Sequence, residues 1–213
     1  MTTWILYLFL CILCFLLTLY LVLELHYFIR SFWCILFAKI VRKKVHILEE
    51  TKIRGICIPT DIDTLLTHMN NARFMRELDF AKLDFYQRTG LWQCIRKNNG
   101  GLAVAATTIR YRRFIKLFTR YYITTKVIYW DDKSIYMEHK FISYFDKFIN
   151  AIAFCKVRII DCDSENILTQ LMSTNIPENP TKEKPDIPPD LKKWIEYIEL
   201  SSAHLRTQPV AVE

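Results

Sequence analysis

Glycine is scarce in this chain, with four residues in 213: Gly55, Gly90, Gly100 and Gly101. A phosphate-cradling G-x-x-x-x-G-K loop and a G-x-G-x-x-G dinucleotide fingerprint both need closely spaced residues without a Cβ, so both are excluded and nucleotide-driven chemistry is not expected. The sequence also lacks H-E-x-x-H and G-x-S-x-G, and His26, His46, His68, His139 and His204 stand far apart along it. A zinc or serine-hydrolase centre is therefore unsupported, and no cofactor is implied. The seven cysteines follow no metal-ligand or disulfide-framework spacing, and the one C-x-x-C, Cys11 to Cys14, lies in an apolar run where packing is its expected role. No glycosylation acceptor occurs, since Pro180 follows Asn179. These absences fit a reducing, cytosolic environment. Acidic residues are outnumbered 22 to 29 by Lys and Arg, giving a net charge of +7. No aromatic platform motif accompanies that excess, so nucleic acid is not an expected partner.

Charge is missing altogether between Thr2 and Leu23. At about 1.5 Å per helical residue this run reaches roughly 33 Å, enough to cross the hydrocarbon core of a bilayer. It has no basic residue before it and no small-x-small cleavage site after it, which favours a retained transmembrane anchor (residues 1–24) over a cleaved signal peptide. The signal-peptide alternative would make the protein secreted. Arg30, Lys39, Arg42, Lys43 and Lys44 follow the run, and this positive bias places the remainder in the cytosol as a single-pass membrane protein. Residues 27–38 are apolar apart from Arg30 and too short to span alone. Two readings stay open: an interfacial segment within a juxtamembrane stretch (residues 25–45), or a plain continuation of the first helix.

Periodicity organises the rest. A short extended run over 53–58 ends at Pro59, and a polar loop follows over 60–71. From Ala72 the residues Phe74, Leu78, Ala81 and Phe85 recur at three- and four-residue steps, predicting one long helix that stops near Gly90. Arg73, Arg76, Lys82 and Arg88 are expected on its wet side. Alternation then takes over in four runs, separated by turn-forming residues at 131–134 and 146–147. The small side chains Ala103, Ala105, Ala151 and Ala153 suggest a place where a helix lies close against the sheet. This order predicts an α+β fold, a curved antiparallel sheet wrapped around one central helix, over residues 46–175. Residues 176–189 hold five of the seven prolines and read as an extended strap. Asp190 is expected to cap a short helix (190–206) whose Leu191, Trp194, Ile195 and Ile198 dock on the sheet or on a partner.

The chemistry concentrates just before the long helix. Asp61, Asp63, His68, Asn70 and Asn71 fall within eleven positions, next to helix N–H groups that have no internal partner. Such amides can polarise a carbonyl and hold its oxyanion while a carboxylate orients water or attacks. The same residues could equally serve as an ordinary N-cap (Asn70 or Asn71) and a closed turn (Asp61 and Asp63). Arg110, Arg112, Arg113, Lys116 and Arg120 add five positive charges in eleven residues, suited to anionic phosphates, to anionic lipid or to a solvated rim.

These segments, D-x-D, a loop and His68-Met69-Asn70-Asn71-Ala72-Arg73-Phe74, resemble the hotdog-fold thioesterases of the 4-hydroxybenzoyl-CoA and acyl-acyl-carrier-protein type. The resemblance is closer still to a membrane-anchored branch, the thioesterase superfamily member 6 family. It extends through Arg76-Glu77-Leu78-Asp79-Phe80-Ala81, Tyr111-Arg112-Arg113, Trp130-Asp131-Asp132 and the tail residues Trp194-Ile195-Glu196-Tyr197 and Ser201-Ser202. It implies a fatty acyl-CoA thioesterase working as a homodimer at the cytosolic face of the endoplasmic reticulum. Asp63 is then the base or nucleophile, and His68, Asn70 and Asn71 shape the pocket. The N–H groups of Asn71 and Ala72 form the oxyanion site. Glu77 is the helix carboxylate that some relatives use instead, and Asp79 a lesser substitute. Arg110, Arg112, Arg113 and Lys116 lie where CoA phosphates would be paired. The resemblance also admits a catalytically inactive acyl-lipid binding or scaffold module. One departure stands out. Asp63 is five residues before His68, where the family usually has four, and Leu65, Leu66 and Thr67 fill the gap.

Overall fold

A computed structural model describes residues 2–173 and 183–207, in two compact units, Met1–Lys43 and Lys44–Glu213. The first unit is two helices, α1 (Thr2–Leu23) and α2 (Leu25–Ile40). Among the described residues, α1 is the one helix long and apolar enough to cross a membrane. Glu24 adopts a left-handed conformation (φ 47°, ψ 46°) that L-residues disfavour, and it breaks the helical path there. The second apolar stretch is therefore a separate helix rather than a continuation of the first. Lys39 in its last turn complements the negative end of the helix dipole.

In the second unit, five strands form one antiparallel sheet in the order β1-β3-β4-β5-β2: β1 (Thr51–Ile56), β2 (Gly101–Tyr111), β3 (Arg120–Trp130), β4 (Ser134–Ser143) and β5 (Ile149–Ile160). The long helix α3 (Asn71–Arg88) packs against β1 and β3. Its predicted stripe is buried throughout: Phe74, Leu78, Ala81 and Phe85 are all at most 3% exposed. Each large side chain so buried contributes about 1.5–3 kcal/mol, and that is what fixes the helix on the sheet. At the sheet surface Phe74 meets Phe141 and Tyr111, with ring centroids 4.8 and 5.1 Å away. The result is the α+β architecture that the order of the elements predicted.

Two short helices were not foreseen. Gly90 takes φ +77°, which turns the chain out of α3 into α4 (Leu91–Lys97). After β5, Asp163 accepts a hydrogen bond from Glu165 N–H and caps α5 (Ser164–Met172). Leu91, Ile95, Ile167 and Leu168 close the core beyond the end of α3. The expected strap falls partly on residues 174–182, which lie outside the described residues. The last helix, α6 (Pro189–Thr207), is longer than expected. It opens at Pro189, a residue whose fixed φ and missing N–H suit a first helical position. Asp190 is thus in its first turn rather than its cap. Leu191, Trp194 and Ile195 pack with Ile128, Tyr136 and Phe154 on the sheet face opposite the α3 stripe.

Two expectations about small and charged residues fail. Ala151 and Ala153 are buried, but Ala103 and Ala105 are exposed, because β2 is an edge strand and its pairing with β5 skips at Ala105. Lys82 is buried rather than solvated, its Nζ 2.9 Å from Asp79 at the next turn back. It lies beside His139 and Cys155, both of which feel its charge.

Candidate active site

Topology gathers the site. In this antiparallel sheet the ends of β1, β2 and β4 and the starts of β3 and β5 all fall at one edge, and the start of α3 lies there too. Between β1 and α3 the chain makes a 3-10 turn over Pro59–Asp61 and then a small hairpin in which Ile62 pairs with Met69. Asp61 is buried, and its Oδ2 accepts the Ile58 N–H at 3.0 Å. Arg73, in the first turn of α3, reaches back to donate to the Thr60 carbonyl from Nε and Nη2 at 3.0 and 2.7 Å. Its Nε is 3.8 Å from Asp61 Oδ1. Those contacts clamp the entry loop to the helix.

Asp63 closes the hairpin on itself. Its Oδ1 accepts the N–H of Thr67 at 2.9 Å and of His68 at 3.3 Å, while its own N–H donates to the His68 carbonyl at 2.8 Å. Leu66 sits at the tip with φ 58°. The Thr67 hydroxyl shares a 2.6 Å hydrogen bond with His68 Nδ1, which stands 3.7 Å from Asp63 Oδ2. The Thr67 amide above all, with the His68 amide and ring assisting against partial burial, holds the Asp63 carboxyl below its ordinary value. The extra residue before His68 is thus accommodated as a tight, self-capped loop. His68 itself lies against Phe114, with ring centroids 4.0 Å apart, and pairs in extended fashion with Lys116. The Met69 N–H donates to the Ile115 carbonyl at 2.8 Å, tying this loop to the basic loop that follows β2.

At the helix start, Asn70 is the N-cap, and its Oδ1 accepts the Ala72 N–H at 2.9 Å. Of the two amides singled out in the sequence, that of Ala72 is therefore already committed. Among the described residues, the Asn71 N–H has no hydrogen-bond partner. The Asn71 carbonyl accepts the Tyr111 hydroxyl at 3.1 Å, which fixes the helix end to β2. Two turns into α3, Glu77 is 3% exposed and accepts the Tyr121 hydroxyl at 3.0 Å. Gly55, the direct partner of Tyr121 across β1 and β3, makes this possible: a Cβ there would lie 2.5 Å from the Tyr121 ring. Cys57, fully buried, has its thiol pushed up to about 11 by burial, with Asp61 and Glu77 adding to the shift, and stays protonated. Asp79 is the more exposed helix carboxylate, paired with Lys82.

The basic loop is shaped by a residue that the sequence did not single out. Asn150 is the extra residue where the β4–β5 register skips. Its carbonyl accepts the N–H of Arg112 and Arg113, and its side-chain amide donates to the carbonyls of Arg113 and Phe114. A polar residue amid the alternating apolar run 149–159 was the available signal. Arg113 forms a two-pronged pair with Asp146 at 2.6 and 2.9 Å and lies over the Phe148 ring. Arg110, Arg112, Lys116 and Arg120 are exposed. A cavity of about 410 Å³ at this edge is lined by Arg54, Gly55, Ile56, Arg120, Tyr121 and Tyr144, and Asp63 is not among its walls. Among the described residues no three His, Cys, Asp or Glu side chains come together in a way that could hold a metal ion.

Residues 57–195 match the family model described as the thioesterase-like superfamily. The chain is 43% identical to Protein THEM6 of Drosophila melanogaster over 191 residues, which is 90% of this chain and 95% of that protein. It is 36% identical to Protein THEM6 of Danio rerio, covering 85% of this chain and 87% of that one. Among solved structures, the YbaW probable thioesterase from Escherichia coli superposes with a TM-score of 0.52 at 22% identity, covering 58% of this chain and 95% of that one. The SAV2348 protein from Staphylococcus aureus, solved in complex with CoA, gives a TM-score of 0.50 at 12% identity over 68% of this chain and all of that one. The shared architecture is the hotdog fold.

Proposed function

The chain belongs to the thioesterase-like superfamily, in the group of Protein THEM6, and from that premise we propose that it hydrolyses fatty acyl-CoA thioesters at a membrane. The observation that carries this reading is the Asp63–His68 loop seated at the start of α3 beside an uncommitted Asn71 amide. A thioester carbonyl oxygen directed at that N–H is polarised by a donor aligned with the positive end of the helix dipole. Asp63 then takes a proton from water as the water oxygen bonds to the carbonyl carbon, or attacks that carbon itself to give an acyl anhydride that water hydrolyses to the fatty acid and the free Asp63 carboxylate. The C–S bond breaks, and CoA leaves as the thiol once protonated. His68 and Asn70 hold the loop and helix start in place, and Glu77 is the carboxylate to which the role passes if Asp63 does not serve. The CoA phosphates meet Arg110, Arg112 and Lys116 near Ala72, with Arg113 joining if it leaves Asp146. CoA in the related fold of the SAV2348 protein supports this choice of ligand.

In this proposal residues 1–24 anchor the chain in the endoplasmic reticulum membrane as a single-pass span, and residues 25–45 lie at the membrane boundary. Residues 46–175 form the catalytic domain on the cytosolic side, followed by the strap (176–189) and the docking helix (190–206). A second copy adds along β2, an eleven-residue edge strand with no strand partner on its outer side among the described residues.

One observation favours a second reading, an acyl-lipid binding module without turnover. The Asp63 carboxylate is occupied by its own loop and held below its ordinary value, which makes it a weak base at neutral pH. Purified full-length protein, given acyl-CoAs of increasing chain length, separates the two. Release of free thiol above background supports the hydrolase. Saturable acyl-CoA binding without thiol release supports the binding module and overturns the hydrolase.

A further inference from the structure

The edge of the sheet that holds the candidate site carries a feature that catalysis does not explain. Leu65, Leu66, Phe114, Phe118 and Phe145 are each between 65% and 76% exposed. They sit on three loops fastened to one another. His68 stacks on Phe114 and Arg113 pairs with Asp146. The Phe118 N–H donates to the Cys57 carbonyl, and the Tyr144 N–H to that of Arg120. Leu66 and Phe118 both take φ 58°, a left-handed conformation that favours glycine or asparagine. Backbone geometry and hydration would each select a small polar residue at those tips, yet large apolar ones stand there, so the apolar surface itself is what the positions supply.

Around these tips positive charge predominates, since the Asp63 carboxylate is turned into its own hairpin, where it accepts the Thr67 and His68 N–H groups. Arg112, Lys116, Arg120 and Lys147 have no carboxylate partner among the described residues, and Asp146 is neutralised by Arg113. Apolar tips on loops that carry cations without carboxylate partners match the boundary of an anionic bilayer, where hydrocarbon lies beneath phosphate and carboxylate headgroups. A soluble phosphate ligand would account for the cations but not for the exposed phenylalanines. The same chain carries a helix able to cross a bilayer.

We propose that this loop edge is a second membrane contact, docking on anionic lipid independently of the N-terminal helix and of whether the site hydrolyses thioesters. Full-length protein reconstituted in phosphatidylcholine vesicles, with or without phosphatidylserine, tests it by amide hydrogen exchange over residues 64–67, 114–118 and 144–147. The expected result is exchange slowed about tenfold by phosphatidylserine, restored by high salt, and insensitive to lipid in the double variant Phe118→Asp, Phe145→Asp. Because both positions are exposed, that variant is expected to keep the wild-type Tm and exchange elsewhere in the domain; if it does not, salt reversal in the wild-type protein decides the matter. Equal exchange in both vesicles overturns the proposal. So does slowing produced by free CoA in neutral vesicles with no further effect of anionic lipid, which would assign the edge to a soluble phosphate ligand.

Discussion

Replacing Gly55 by alanine is expected to disturb the buried Glu77–Tyr121 pair through a single methyl group. The added Cβ would lie 2.5 Å from Tyr121 Cζ and 2.7 Å from its hydroxyl oxygen, distances that real contacts do not show. Tyr121 is 1% exposed and packed near Phe141, so the ring cannot simply swing into solvent. Overpacking of this kind costs about 1–3 kcal/mol. Displacing the hydroxyl from Glu77, 3.0 Å away, removes a donor from a buried carboxylate and costs about 1–3 kcal/mol more. For a unit of this size the sum, about 2–6 kcal/mol, lowers Tm by roughly 4–24 °C. Thermal unfolding of the full chain in mild detergent, followed by the fluorescence of buried Trp130, measures the shift. Tyr121→Phe removes the hydrogen bond alone, so Gly55→Ala should cost less in that background than in the wild type, by about the value of the hydrogen bond. A Gly55→Ala protein with the wild-type Tm, or strict additivity in the cycle, would refute the reasoning.

Stability should fall on acidification because of His139. Burial first, and the charge of Lys82 second, lower its pKa from 6.5 to about 3. The unfolded chain therefore binds a proton below about pH 6.5 that the folded chain refuses, and roughly 2 kcal/mol is lost by pH 5, with no change above neutrality. A His139→Gln variant should flatten the dependence of Tm on pH over that interval; an unchanged slope counts against the assignment. Asn70→Ala should lower stability by about 1 kcal/mol through loss of the cap on Ala72, and Asn70→Asp should restore it; equal melting of all three proteins would remove Asn70 from the helix start. If Asp63 acts as the base, its carboxyl lies below its ordinary 3.8, so thioester hydrolysis should keep its rate down to about pH 4. An acid limb near pH 6 would point to another group.

The long helix was legible because Phe74, Leu78, Ala81 and Phe85 repeat at its own period, and the strands because their buried faces alternate. Helices α4 and α5 were not, since a helix of seven or nine residues offers too few turns for a stripe to show. Lys82 was misplaced for a different reason. Its position on the helical wheel does not reveal that the curved sheet reaches round to bury it beside His139. The loop chemistry was partly visible: Asn70 caps α3, and Asp63 closes a turn, as their residue types allow. What could not be read from spacing is the commitment of each atom, such as the Ala72 N–H going to Asn70 Oδ1. The Glu77–Tyr121 pair spans 44 residues and joins two elements by tertiary contact alone. Nothing in the sequence around Gly55 marks the Tyr121 ring that occupies the place of its missing side chain.

The central claim is that the Asp63 carboxylate, at the start of α3, drives cleavage of an acyl thioester. Single-turnover thiol release from bound acyl-CoA by the full-length protein, wild type against Asp63→Asn, tests it most directly. The account predicts a rate lower by about 10²–10⁴ with acyl-CoA affinity retained. An Asp63→Asn protein that cleaves the bound thioester as fast as the wild type would contradict it.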